Sequence, residues 1–283
     1  MRPTNGSGCD ASLALLASTP IVPWARSHMK LSKWQALGND YLLVEQADLT
    51  QPLTPDAVSE LCDYHYGVGS DGLLEVVSTD GAQAEIRIWN PDGSIAELSG
   101  NGVRIVAAWL ARRSGAERVA VTIGARKVEA VVGKDGDIAL DVGPVEVGEM
   151  ETLDLGDERI EFTPVSVGNP HAVVRREPER GEVLRLGPRI ERHSRFPDRT
   201  NVQLVRVDSP HDLTVGVWER GAGETLSSGT SSLAAAAAAV ANGWCESPVA
   251  VHLPGGDLLV ELDADGNARL TGPAEEICRV ELP

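Results

Sequence analysis

The feature that most constrains this chain is that it repeats itself. Leu37–Val44 reads LGNDYLLV and Val167–Val174 reads VGNPHAVV, an offset of 130 residues. Ile86–Asn90 (IRIWN) matches Val215–Glu219 (VGVWE) at 129, and Ser99-Gly100 matches Ser228-Gly229, again at 129. A turn-and-strand stretch closing in Gly-Pro at Pro144 recurs, closing at Pro273, with the same 129-residue spacing. Four matches in one order at one offset describe a duplicated unit, and duplication must be read before local structure. The halves run over about 29–145 and 146–283.

Each half carries short apolar strand segments and one Ala-rich helix opening after Ser-Gly. The first helix starts near Gly100, with Val103, Val106, Ala107 and Leu110 at helical spacing, and ends at Arg112-Arg113 and Gly115. The second starts near Gly229, carries Ala234 to Ala239 and ends at Asn242-Gly243. A helix so small on every side suits close packing inside a curved sheet. Val119–Ile123 and Lys127–Val132 read as strands, and Asp135-Gly136 and Asp265-Gly266 as hairpin turns. The implied fold is α+β: two pseudo-symmetric halves, each a curved, mostly antiparallel sheet wrapped around a central helix, with the site in the cleft between them. Aromatic residues are only 4% of the chain against 42% apolar, so this core is built of Val, Leu, Ile and Ala. Residues 1–28 read differently. Their apolar run, Ala11 to Ala17, has only Arg2 ahead of it and no small-residue cleavage site, so they are expected to be a disordered extension with Met29 opening the folded chain.

The net charge is −17, which repels phosphate backbones and argues against nucleic-acid partners. Cys9, Cys62, Cys245 and Cys278 are scattered, with no CxxC or Cys/His cluster to hold a metal and no disulfide framework, so a reducing cytosol is the expected setting. No apolar run approaches the roughly 20 residues that span a membrane.

Two similar halves make one cleft, and two helix N-termini would point into it. Each end offers free backbone N–H groups and a positive dipole end, which suits an anion. Gly100 and Gly229 allow a ligand close to the backbone. A symmetric pair of acid/base groups can also do what a single one cannot: remove a proton from one face of a tetrahedral carbon and deliver one to the other.

The stretches ELSGNGVR (97–104), VSVGNPHAVV, FPDRTNVQLV, WERGAGETLSSGT and LPGG…LTGPAE together resemble the diaminopimelate epimerase family over about residues 29–283. The resemblance implies a cofactor-independent, homodimeric, cytosolic isomerase that interconverts LL- and meso-diaminopimelate in lysine and cell-wall precursor synthesis. By motif position it implies that Asn39, Asn90, Asn169, Asn201, Glu219 and Arg220 contact the substrate. Gly100-Asn101 and Gly229-Thr230 would form the backbone cradle for the reacting carboxylate. An arginine grips a carboxylate bidentately, and asparagines donate and accept without changing net charge. Taken singly, Asn39 and Asn169 also read as turn residues beside glycine, Glu219-Arg220 as a surface ion pair, and Asn90 and Asn201 as strand ends.

The chain departs from the family at the two residues that matter most. Where the family carries the cysteines that exchange the α-proton, this sequence has Ser99 and Ser228. A free thiol titrates at about 8.5 and an alcohol near bulk water's ~15.7, a gap of roughly 7 units or ~10 kcal/mol. A helix end contributes only ~0.3–2 kcal/mol. The dipole alone cannot make these serines bases, whereas as N-caps each is worth ~1 kcal/mol. Three readings are compatible with this: an epimerase whose Ser99 and Ser228 are assisted by another group; a superfamily relative of different isomerase, racemase or dehydratase chemistry using Glu219, His171 or Asp40 as base; or an impaired, amino-acid-binding homologue. His65 and His171 read as structural, His171 being the better second base.

Overall fold

The computed structural model describes residues 29–282; the extension read at residues 1–28 lies outside them. The first half runs β1 (Met29–Ala36), β2 (Asn39–Glu45), α1 (Pro55–Cys62), β3 (Leu73–Asp80), β4 (Gln83–Trp89), β5 (Ile95–Ala96), α2 (Gly100–Ser114), β6 (Arg118–Ile123), β7 (Arg126–Val132) and β8 (Asp137–Pro144). After β9 (Glu146–Val147) and β10 (Glu151–Asp154), the second half runs β11 (Arg159–Ser166), β12 (Pro170–Arg175), α3 (Arg180–Glu191), β13 (Asn201–Ser209), β14 (Asp212–Glu219), β15 (Gly223–Thr225), α4 (Gly229–Ala241), β16 (Val249–Leu253), β17 (Gly256–Leu262) and β18 (Asn267–Pro273). The chain closes with β19 (Glu275–Leu282).

The pairing repeats with the sequence. In the first half β1–β2 is antiparallel, β2–β3 parallel, β3–β4 antiparallel and β4–β6 parallel, followed by the β6–β7–β8 meander. In the second half β11–β12, β12–β13, β13–β14, β14–β16 and β16–β17–β18 follow the same succession of directions. The halves join where β8 lies antiparallel to β18, Leu140 opposite Leu270. Beyond that joint each half closes on a strand that follows the other's meander. β9, after β8, pairs with β11, and β19, after β18, returns to pair with β1. The repeat divides the sequence at residue 145, but the C-terminal strand completes the sheet of the first half.

Both central helices are buried. On α2, Ile105, Val106, Ala107 and Leu110 have no exposed surface and pack among Trp34, Leu43, Leu74 and Ile86. On α4, Ala234–Ala239 are at most 4% exposed, enclosed by Val165, Val173, Val215 and Val251. Each helix starts at the serine before it and stops at the residue read from sequence: Gly115 in the left-handed conformation after α2, Asn242 after α4.

One Ala-rich helix per half is an incomplete account. α1 and α3 cover the outer sheet faces, so strands such as β2 and β12 are buried on both sides. Leu43 faces α2 while Leu42 and Val44 join the core with Val58 and Leu61 of α1. Val173 faces α4 while Ala172 and Val174 join Leu186 and Ile190 of α3. α1 had a legible start, the Thr54 hydroxyl capping Ala57 with Pro55 in the first turn. α3 lacks a side-chain cap and contains Pro188, so local rules do not announce it. Among the described residues no helix is long and apolar enough to cross a membrane.

Leucine and alanine have nearly equal helix propensity, so replacing Ala236 separates packing from propensity. Ala236→Leu should destabilise by ~1–3 kcal/mol through overpacking, measured as a lower urea midpoint with unchanged m-value. An unchanged midpoint would mean that the alanines are there only as helix formers.

Candidate active site

The two central helices meet end to end. Ser99 caps α2, its Oγ accepting from the Gly102 amide at 3.0 Å, and Ser228 caps α4, its Oγ accepting from Ser231 N at 3.5 Å. A Cβ built on Gly100 would lie 3.5 Å from the Gly229 Cα, so the first residues of the two helices are in van der Waals contact. A Cβ on Gly229 would come within 2.9 Å of Leu270 Cδ2. The two helix ends therefore approach closely, a Cβ at position 229 displacing the Leu270 side chain, and the free N–H groups of both first turns converge on one spot. Asn101 bridges the halves: its Nδ2 donates to Asn39 Oδ1 at 3.0 Å and to Ser227 Oγ at 3.3 Å. Asp71 in turn fixes Asn39, accepting from its Nδ2 at 2.9 Å.

Beneath this junction lies Arg104, with no exposed surface. Its Nη2 donates to Asn101 Oδ1 at 2.6 Å and its Nε to the Pro273 carbonyl at 3.4 Å, while its Nη1 has no partner among the described residues. The same Cβ on Gly229 would lie 3.6 Å from that Nη1. Among the described residues no carboxylate is bonded to the guanidinium. Burial lowers its pKa to about 10, opposed by the charge of Asp137, so at neutral pH it remains a cation. Two positive helix ends and a buried cation at one point create a potential that favours an anion. Arg104 stands in the ELSGNGVR stretch but was not among the residues singled out from sequence. Only the sheet wrapped around α2 buries it.

The capping serines have different partners. Tyr41 Oη lies 3.0 Å from Ser99 Oγ. Burial pushes this phenol up to about 12, with the charges of Glu219, Asp71 and Asp40 acting in the same direction. On the Ser228 side the nearby group is instead the Glu219 carboxylate, which accepts from Thr225 Oγ1 at 2.8 Å. Burial raises the Glu219 pKa and the charge of Asp71 adds to it, while both hydroxyls pull the other way. Tyr41 was not among the sequence-read site residues, although it is the repeat counterpart of His171.

The remaining candidates lie in the first helical turns and on nearby strands and turns. Thr230 and Asn101 lie in the first helical turns with Gly229 and Gly100. Asn201 pairs opposite His171 across β12–β13, its Oδ1 accepting from the Arg220 amide at 3.0 Å and its Nδ2 donating to the Pro170 carbonyl at 3.0 Å. The Arg220 side chain is exposed and donates to the Asp198 carbonyl at 3.3 Å, so Glu219 and Arg220 do not pair with one another. Asn90 directly follows β4 and is held by its own turn, its Nδ2 donating to Ser94 Oγ at 2.9 Å. Asn169 accepts from His171 Nε2 at 3.0 Å, while His171 Nδ1 accepts from Gln203 at 3.0 Å. With both ring nitrogens occupied and 1% exposure, His171 orients Asn169 and is not placed as a free base. Asp40 pairs with Lys33 at 2.6 Å and accepts from Tyr64 Oη at 2.9 Å; His65 is exposed on the adjoining loop. Surface cavities of about 510 Å³ beside Trp244 and about 500 Å³ at the C-terminal end of α2 contain none of these residues. Among the described residues, no three His, Cys, Asp or Glu side chains group as a metal site requires.

The family whose sequence model is described as diaminopimelate epimerase matches residues 31–148 and 163–277. The chain belongs to the diaminopimelate epimerase family. The two matched stretches contain every residue of the helix junction and its surroundings. A protein named diaminopimelate epimerase from Desulfitobacterium hafniense is 39% identical over 274 residues, covering 87% of this chain and 95% of that one. Diaminopimelate epimerase 2 of a Nostoc species is 37% identical over 272 residues, covering 90% and 95%. Among solved structures, a predicted epimerase from Pseudomonas aeruginosa superposes with a TM-score of 0.67 at 17% identity, covering 90% of this chain and 99% of that chain. A hydroxyproline epimerase from Agrobacterium vitis, with bound trans-4-hydroxy-L-proline, gives 0.67 at 17%, covering 91% and 93%. At that identity the likeness is one of fold, and it establishes the duplicated two-half architecture of the diaminopimelate epimerases for this chain.

Burial holds the His171 imidazole down at about 3, with the charge of Arg220 acting the same way and the Gln203 contact opposing it. The unfolded chain takes up this proton below about pH 6.5 and the folded one does not, so stability falls as pH drops from about 6.5 towards 3. The contribution is at most about 1.4 kcal/mol per pH unit. His171→Gln should flatten the dependence of urea-derived stability on pH between 6.5 and 5, and an unchanged slope would overturn the assignment of His171 as a buried neutral imidazole.

Proposed function

We propose that this chain interconverts LL- and meso-2,6-diaminopimelate by moving a proton at one Cα, with Ser99 and Ser228 on opposite faces of that carbon. The observation that carries the reading is the junction of two serine-capped helix ends with the Glu219 carboxylate beside one of the serines. The carboxylate next to the reacting carbon sits against the amides of Gly100-Asn101 and Gly229-Thr230, above the Arg104 cation. Asn39, Asn90, Asn169, Asn201 and Arg220 receive the remaining ammonium and carboxylate groups. The family relatives, named diaminopimelate epimerases at 35–39% identity, support this choice of substrate.

Glu219 resolves the difficulty of an alcohol as base. As the Cα–H bond breaks, its proton passes to Ser228 Oγ while the proton already on Ser228 passes to the Glu219 carboxylate. The electron pair of the C–H bond moves into the adjacent carboxylate group, where helix N–H groups and Arg104 oppose the added charge. No free alkoxide forms, because the net base is a carboxylate and the serine relays the proton. Reprotonation from the Ser99 face inverts the centre, and return of the proton from Ser228 restores it. Homodimeric assembly and a cytoplasmic setting belong to the same proposal and rest on the family resemblance.

Proton NMR of LL-diaminopimelate with the protein in D2O tests the reading. Loss of the α-proton signal with appearance of the meso isomer is expected, and no exchange at saturating substrate overturns it. Glu219→Gln should lower the exchange rate by about 10²-fold or more. The base arm works only with Glu219 ionised, so kcat/KM should fall as pH drops through the raised pKa of that carboxyl. The acid limb will therefore lie above the ordinary glutamate value of about 4.3.

A further inference from the structure

Duplication placed equivalent serines at the two helix ends, yet their surroundings are not equivalent. On the Ser228 side, the neighbouring group is the Glu219 carboxylate, which has lone pairs to accept a proton. On the Ser99 side, the 3.0 Å contact is to a phenol, which has a proton to give. The counterparts at the repeat offset differ as well: position 171 is a histidine bonded to Asn169 and Gln203, and position 90 is an asparagine bonded to Ser94. The contact from Tyr41 to its capping serine is thus not a packing requirement common to both halves.

We propose that Tyr41 is the proton reservoir of Ser99, which makes the first half's serine the acid arm of the site and the Ser228–Glu219 pair the base arm. This rests on the epimerase reading and assigns the group that the loss of a thiol on the Ser99 face calls for. In the step, the Ser99 O–H bond breaks and its proton forms the new Cα–H bond on the face opposite Ser228. The Tyr41 O–H bond breaks with it, and the phenolic proton passes to Ser99 Oγ. The substrate leaves inverted, with Glu219 as the carboxylic acid and Tyr41 as the phenolate. Loss of the Glu219 proton to water and uptake of one by Tyr41 from water restore the resting state. Burial and the charge of Glu219 hold the phenol protonated until its proton is called on. The two faces are therefore unequal: the resting protein removes a proton on the Ser228 side and supplies one on the Ser99 side. Tyr41 acts through Ser99, so it is a positioning and proton-supplying residue and does not contact the substrate.

The test compares α-deuterium exchange with inversion, using LL- and meso-diaminopimelate in D2O. Tyr41→Phe keeps the ring and removes only the hydroxyl, and its folding is checked by thermal unfolding. It should lower inversion by about 10²-fold while exchange with retention, carried by Ser228 and Glu219, continues near the parent rate. Equal loss of both, or loss of neither, overturns the assignment. A second comparison makes the same change in a Ser99→Cys background, where a thiol titrating at about 8.5 can give up its own proton. The effect of Tyr41→Phe should then largely vanish, and its persistence in full overturns the relay. A parent protein that shows neither exchange nor inversion overturns the functional reading itself, and the relay with it.

Discussion

Much of this molecule depends on an electrostatic arrangement that would be unfavourable on its own. Two helix N-termini touch through Gly100 and Gly229, and the buried Arg104 guanidinium lies directly beneath them. Three sources of positive potential in one desolvated place repel each other and attract an anion. What holds them together is packing. α2 and α4 are each enclosed by a sheet, and the β8–β18 joint clamps the two sheets together. Asn101 relieves part of the strain, accepting from Arg104 while donating across the seam to Asn39 and Ser227. Folding has already brought these charges together, so the junction favours an anion without further rearrangement.

Duplication supplied the symmetry and later divergence removed part of it. The backbone keeps its pseudo-symmetry to the level of strand direction, including the reciprocal closure of each half by β19 and β9. The side chains do not. Tyr41 stands where the second half has His171, and Asn90 where it has Glu219. One half therefore presents a neutral phenol at its serine and the other a carboxylate. Inversion of a carbon needs an acid on one face and a base on the other, so unequal partners on a symmetric frame suit the chemistry better than two identical alcohols would.

Most of the local structure was legible. The starts of α2 and α4, their stops at Gly115 and Asn242, and the hairpins at Asp135-Gly136 and Asp265-Gly266 follow from caps and turn residues, which depend on neighbours a few positions away. The glycine pair was legible through the repeat, and the asparagines proposed to meet the substrate came from the family resemblance. α3 was not, because its stability comes from packing on β13 and β14 and it has neither a side-chain cap nor an uninterrupted interior. Nor was the return of β19 to β1, since pairing across some 240 residues leaves no short-range mark.

By itself, then, the sequence determined that there are two equivalent halves, that each presents a serine-capped helix end followed by glycine, and that both family cysteines are replaced. Those properties reside in residue identity and spacing. The tertiary structure alone decided what stands beside each serine. Tyr41 lies 58 residues from Ser99, and Glu219 reaches Ser228 because the turn leading into β15 doubles the chain back. It also decided that Arg104 is an interior cation instead of a surface one. A proton-transfer partner is defined by a distance of about 3 Å and by burial, and both are set by how the sheets close around the helices.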